Sequence, residues 1–149
     1  LIFFMLINNQ IAAFLKEQTC ATICCTDETG NPYCFSCFYA INFNEGLLYF
    51  KSALSTNHAN MMQANPMIAG TVLPDTLSKL LIKGIQFKGD VLPAGHLLTK
   101  HAAVQYYKQH PLAIAVSGEI WTIRINYIKM TDSSLGFGKK TIWERPLNA

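Results

Sequence analysis

Charge is scarce in this 149-residue sequence: Asp, Glu, Lys and Arg make up 14% of it and hydrophobic residues 50%. An average soluble domain is roughly 25% charged, so part of the surface is expected to lie in an oligomer interface. Disorder is excluded by the same composition. Runs of one sign are missing too. Twelve basic and nine acidic residues leave a net charge of +3, and the basic ones are scattered, which argues against a nucleic-acid partner.

A long apolar run is also lacking. Leu1 to Ile7 are apolar, but Asn8, Asn9 and Gln10 interrupt them well short of the roughly 20 residues that cross a bilayer. No membrane partner is expected, and no signal peptide, since neither a basic n-region nor a small-residue cleavage site flanks the run. All five cysteines fall between Cys20 and Cys37. An odd number without secretory context points to a cytoplasmic protein with reduced, mostly buried thiols and no disulfide framework.

Catalytic signatures are absent as well. His58, His96, His101 and His110 sit in no H-E-x-x-H pattern, and no G-x-S-x-G elbow occurs, so neither a metalloenzyme nor a serine-type hydrolase is supported. Cys34-Phe35-Ser36-Cys37 has the spacing of half a zinc site, but it lies in an extended run. Residues three apart on a strand point to opposite faces and cannot share a metal. Were the hairpin symmetric about Thr29, Cys24 and Cys34 would be cross-strand neighbours.

What the sequence does contain is a succession of short β runs. A helix is expected over Ile2 to Gln18, followed by strands at Cys20 to Cys25, Tyr33 to Phe43 and Leu47 to Lys51, separated by the turn formers 27–32 and 44–46. A short helix should occupy Ser52 to Ala64, stopped by Asn65-Pro66. Further strands are predicted at Ile68 to Leu73, Leu81 to Leu92, from Ile120 with a phase shift near Tyr127, and at Lys140 to Glu144. Leu97 to Gln109 reads as a helix with Thr99 as a candidate cap, and Gly84 and Gly89 suggest bends or bulges. Six or seven antiparallel strands with few helices favour a small mainly β barrel in one domain, 1–149, over a doubly wound sheet.

The chemically suggestive stretch is Tyr49 to His58. Hydroxyls, a lysine and the first free amides of a helix meet there, with Ser55 or Thr56 at the cap. Such an N-terminus suits a phosphate, although composition alone favours an ordinary cap. His58 in that first turn should titrate low without an anion beside it. The tail from Thr131 to Arg145 also has two readings: glycines, lysines and Trp143 closing over an anionic aromatic ligand, or a glycine turn before a last strand with Trp143 in the core.

Taken in order, strand Ser36-Cys37-Phe38-Tyr39, Lys51-Ser52, the helix from Ser55 to Asn65-Pro66, Ile68 to Val72 and Lys83-Gly84-Ile85-Gln86-Phe87-Lys88-Gly89 resemble the FMN-binding split barrel of the pyridoxamine 5'-phosphate oxidase superfamily. The chain resembles most of all a small bacterial branch of it, through His58-Ala59, Ala69-Gly70-Thr71-Val72 and Leu135-Gly136-Phe137-Gly138-Lys139-Lys140. This resemblance implies a six- to seven-stranded antiparallel split barrel forming a homodimer with two FMN sites. It places the flavin along Ser36, Cys37, Phe38 and Tyr39, and the phosphate at Lys51, Ser52, Ser55, Thr56, Asn57 and His58. Gln86 would lie near the partner's flavin, while Trp143 and Arg145 would close the site. Asn57-His58 stand where the oxidase typically has an Arg-Lys pair, so pyridoxamine 5'-phosphate oxidation itself is not expected. The implied function is an FMN-dependent oxidoreductase using NADH or NADPH. Its rivals are a non-catalytic flavin or haem binding module and a ligand-free dimeric scaffold, with the deazaflavin F420 as an alternative cofactor.

Overall fold

The computed structural model of the chain describes residues 5–149. Its backbone is a mainly β fold in which six antiparallel strands close into a barrel. They are β1 (Cys20–Thr26), β2 (Pro32–Asn42), β3 (Leu47–Ser52), β4 (Met67–Val72), β5 (Lys83–Val91) and β6 (Glu119–Asp132), joined in the circular order β3-β2-β1-β4-β5-β6. Closure comes from the pairing of β3 with the first half of β6, Leu47 opposite Arg124 through Ser52 opposite Glu119. A seventh strand, β7 (Lys140–Glu144), lies outside the ring on the second half of β6.

Alternation builds the interior. Ile23, Leu48, Phe50, Ile68, Val72, Ile85, Phe87, Ile123 and Ile125 are buried in one cluster, as every second residue of a strand facing a closed core should be. The expected phase shift near Tyr127 is a β-bulge: Lys88 faces Tyr127 and Gly89 faces Ile125, so Asn126 is the extra residue. After it the buried positions move to Ile128 and Met130. Gly89 is required opposite the bulge, because a Cβ there would lie 2.5 Å from the Arg124 carbonyl oxygen. Gly84 pairs regularly with Thr131 and makes no bulge.

Helix α1 (Asn9–Glu17) contributes Ile11, Phe14 and Leu15 to the interior, and α2 (Asn57–Ala64) contributes Met62. The expected first helix therefore starts at Asn9, where the Asn8 carboxamide oxygen caps the amides of Gln10 and Ile11. Its predicted beginning, Ile2 to Phe4, lies outside the described residues. The second expected helix is shorter at its start, since Ser52 ends β3. The third is split into a 3-10 turn at Leu97–Thr99 and α3 (Ala102–Gln109). There Thr99 does not cap the helix; its hydroxyl donates to the His96 carbonyl. A further 3-10 segment, Pro111–Ala115, follows where only a stop was expected. α3 covers the outside of β2, β3 and β6, over a second cluster of Ala40, Leu47, Tyr49, Ala102 and Tyr106.

The turn between β1 and β2 hangs on one carboxylate. Asp27 accepts from the amides of Thr29 and Asn31, the Thr29 hydroxyl and the Asn31 side chain. These bonds, those from Asn31 foremost, draw its pKa down to about 2. A carboxylate depressed in the fold stabilises above its unfolded pKa near 3.9 and loses that contribution as pH falls through the folded value. Melting curves should show an acid-sensitive component between about pH 4 and pH 2 that Asp27→Asn lacks; an identical profile in the variant would remove Asp27 as its source.

Candidate functional site

The barrel has a gap. β2 pairs with β1 from Pro32 to Phe38, but with β3 only from Tyr39 to Asn42. The last two residues of β3, Lys51 and Ser52, pair with β6 alone. Along this stretch the β3-side edge of β2 is unpaired. Which groups it offers follows from register: the Tyr39 amide donates to the Thr19 carbonyl, and the Asp27 amide to the Asn31 carbonyl. Antiparallel alternation then turns the backbone N-H and C=O of the odd-numbered β2 residues toward β1, and those of Cys34, Ser36 and Phe38 toward the gap.

The first turn of α2 closes one end of this opening. His58 spans it, its ring stacked on Phe35 of β2 at 3.7 Å between centroids and its Nε2 2.6 Å from the Ser52 Oγ of β3. Burial holds the His58 pKa below its ordinary value, in the direction expected. Thr56, not Ser55, is the cap: its hydroxyl accepts from the Ala59 amide and donates to the Ala53 carbonyl. The amides of Asn57 and His58 have no acceptor among the described residues. Ser55 and Asn57 are exposed. Two free amides, several hydroxyls and a histidine able to gain a proton form a site suited to an anion.

The other residues singled out from the sequence divide between faces. Ser36 and Phe38 lie on the outer face of β2 and are exposed, whereas Cys37 and Tyr39 point inward. Burial pushes the Cys37 thiol up to about 12, and the Tyr39 hydroxyl donates to the Leu15 carbonyl at 2.7 Å. Lys51 stands apart from the anion site. Neighbours on a strand face opposite ways, so while Ser52 turns to His58, the Lys51 ammonium lies beyond β3 and donates to the carbonyls of Ala113, at 2.8 Å, and Val116. Gln86 is exposed on the outer face of β5, in a depression of about 450 Å³ shared with Thr22, Cys24, Cys34 and Lys129.

Trp143 and Arg145 meet neither group. Trp143 is buried opposite Ile128, eight residues along β6 from the Ile120 that faces Lys51. Its indole donates to the Leu6 carbonyl. Arg145 donates to the carbonyls of Ile125, Glu45 and Gly46. The glycine-turn reading of the tail thus describes this chain, with Gly136 and Gly138 at positive φ before β7.

Three features of the site were not anticipated. Phe35 carries the His58 ring, the Trp121 indole donates to the Ser52 carbonyl at 3.1 Å, and the 3-10 segment supplies an acceptor for Lys51. Aromatic positions flanking the phosphate candidates were the available signal for the first two; carbonyl acceptors leave none. A larger cavity of about 780 Å³ opens beside α3, with Met62, Leu92, Ala102, Tyr107, Trp121 and Thr122 in its wall. Five thiols are free, yet only Cys25 is fully buried while Cys20 and Cys34 are exposed. This corrects the expectation of generally buried cysteines, since β1 and β2 each turn one face outward. Among the described residues no group of three metal-binding side chains exists, and no helix is long and apolar enough to cross a membrane.

No protein-family model matches the chain. A UPF0306 protein of Photorhabdus laumondii is 42% identical, the match covering 91% of this chain and 94% of that one. Among solved structures, a heme binding protein from Mycobacterium smegmatis superposes with a TM-score of 0.72 at 13% identity, covering 88% of this chain and 55% of the other. A pyridoxamine 5'-phosphate oxidase-related, FMN binding protein from Nostoc punctiforme gives 0.69 at 11% identity, covering 95% and 91%. At these identities the structural likeness establishes the fold.

Proposed function

Since the chain belongs to the UPF0306 family and folds as an antiparallel split barrel, we propose that it is a flavoprotein that binds FMN in the gap between β2 and β3. The observation that carries this reading is the unpaired edge of β2 running into the first turn of α2. A flat heterocycle with hydrogen-bonding groups along one side would pair with the backbone of Cys34, Ser36 and Phe38. Its phosphate would meet the free amides of Asn57 and His58 and the hydroxyls of Ser52 and Ser55. An anion there favours the imidazolium form of His58, which offsets the absence of a nearby arginine. Thr56 fixes the helix turn, and Phe35 fixes the ring of His58.

When bound, the flavin would supply hydride transfer, and the protein would hold and shield it. The activity we propose is oxidoreduction between NADH or NADPH and a second substrate, in a cytoplasmic homodimer. Exposed apolar side chains on the segment after α3, Leu112, Ile114 and Val116, give a second copy something to cover. Gln86, on the outer face of β5, would meet a flavin held by that copy.

The test is a visible absorbance spectrum of the purified protein, repeated after FMN addition and gel filtration. A flavin spectrum retained at dimer size, bleached by NADH or NADPH, is expected. No retained flavin and no quenching of flavin fluorescence would overturn the proposal. A Soret band in the protein as purified would assign the gap to haem, and flavin retention without bleaching would leave a binding module.

A further inference from the structure

We propose that Cys24 and Cys34 form a dithiol site at which a low-molecular-weight disulfide is reduced while the two thiols become a cross-strand disulfide. The inference rests on the β1-β2 hairpin and concerns the flavin-free protein, in which the depression shared with Gln86 stays open. Cys24 and Cys34 are direct partners in the register. The hydrogen bonds that flank them, Tyr39 to Thr19 and Asp27 to Asn31, make every even-numbered pair of this ladder a non-hydrogen-bonded one. Such pairs bring Cα atoms to about 4.5 Å, inside the range of about 4.4–6.8 Å that a disulfide bridges.

The adjacent pair shows the same close approach, for Thr22 Oγ1 and Ser36 Oγ lie 3.3 Å apart across the strands. Both thiols open into the shallow depression on the outer face of the sheet, where Ala69 and Gly70 of β4 leave room beside them. Cys34 is exposed and Cys24 half-buried. The neighbouring Cys34 thiol, then burial, holds the Cys24 thiol above its ordinary pKa; Cys34, the exposed member of the pair, is the sulfur that a small disulfide reaches first.

The exchange is balanced without a metal or cofactor. The Cys34 thiolate attacks one sulfur of the small disulfide, forming a mixed disulfide and expelling the first thiolate. Cys24 then attacks Cys34 Sγ and expels the second. One S–S bond breaks and one forms, the protein loses two electrons and two protons, and two small thiols leave with them.

Oxidised glutathione is the probe. Incubation of the folded protein should remove two of its five free thiols, leave no bound glutathione, and yield a single peptide linking Cys24 to Cys34, all reversed by dithiothreitol. Cys24→Ser should stop at a glutathione adduct on Cys34. A variant with Cys20, Cys25 and Cys37 all replaced by Ser should still close the bridge, and circular dichroism would verify that each variant folds. Retention of all five thiols, glutathione adducts only in the unmodified protein, or a bridge using Cys20, Cys25 or Cys37 would each overturn the proposal.

Discussion

Phe50→Ala should lower the unfolding free energy by about 3–5 kcal/mol, a large fraction of the roughly 5–15 kcal/mol that holds a domain folded. Phe50 is completely buried. It stacks on Trp121 at 6.1 Å and meets the tilted ring of Phe35 at 5.6 Å, so truncation leaves a cavity where three aromatic side chains meet. The same change frees Phe35, on which His58 rests, and should disturb the anion site together with the core. Phe50→Leu keeps much of the volume and should cost less, under about 1.5 kcal/mol. Urea denaturation of the three proteins measures the difference, and an alanine variant within about 1 kcal/mol of the parent would mean that the aromatic contacts do not support the barrel.

Asn57→Pro should weaken FMN about ten- to a hundredfold, the range that corresponds to losing one hydrogen bond to a charged group, while riboflavin binding stays unchanged. Proline at the first helical position deletes the Asn57 amide donor and nothing else in the helix ladder. The preceding residue already has the extended backbone that proline requires, Thr56 lying at φ −72° and ψ 154°. Stability should therefore hold, separating a binding loss from a folding loss. Lys51→Ala gives the contrast: its ammonium is committed to the Ala113 and Val116 carbonyls, so the ratio of FMN to riboflavin affinity should not move. Fluorescence titration with both ligands reads these outcomes. Equal weakening of FMN and riboflavin by Asn57→Pro would remove the phosphate from the α2 turn.

The barrel was legible in the sequence because its determinants are local and periodic. Turn formers at 27–32 and 44–46 bracket β2, Gly30 has the positive φ of a turn glycine, and alternation from Trp121 to Ile125 marks an inward face. Even the phase slip at Tyr127 could be read before its cause, the extra residue Asn126, was seen. Helix starts were read less well, since Ser52 reads as the start of a helical stretch and Thr99 as a cap until tertiary pairing makes one the end of a strand and gives the other a carbonyl acceptor.

The site was legible as a neighbourhood but not as a set of side-chain directions. Ser52, Thr56 and His58 do converge. Lys51, one residue away, lies on the other face of the same strand, a consequence of the rule that already separated Cys34 from Cys37. Trp143 and Arg145 were linked to the site by resemblance alone, and here they tie the chain's end to Leu6, Ile125 and the turn before β3. The gap itself has no sequence signal, because an unpaired edge is a property of where β3 stops pairing rather than of which residues β2 contains.

The closing of the ring through β3 and β6 imposes an order in time. β3 is complete at Ser52, but the strand that covers its far edge begins at Glu119 and pairs through to Arg124. At about 5–20 residues per second, a ribosome needs roughly 4–14 s to make the intervening stretch. For that interval Leu47 to Phe50 would wait with one row of amides and carbonyls uncovered, and Lys51 and Ser52 with both, a largely apolar template for neighbouring nascent chains. Yield during synthesis should accordingly depend on chaperone supply and translation speed more than on the stability of the finished fold.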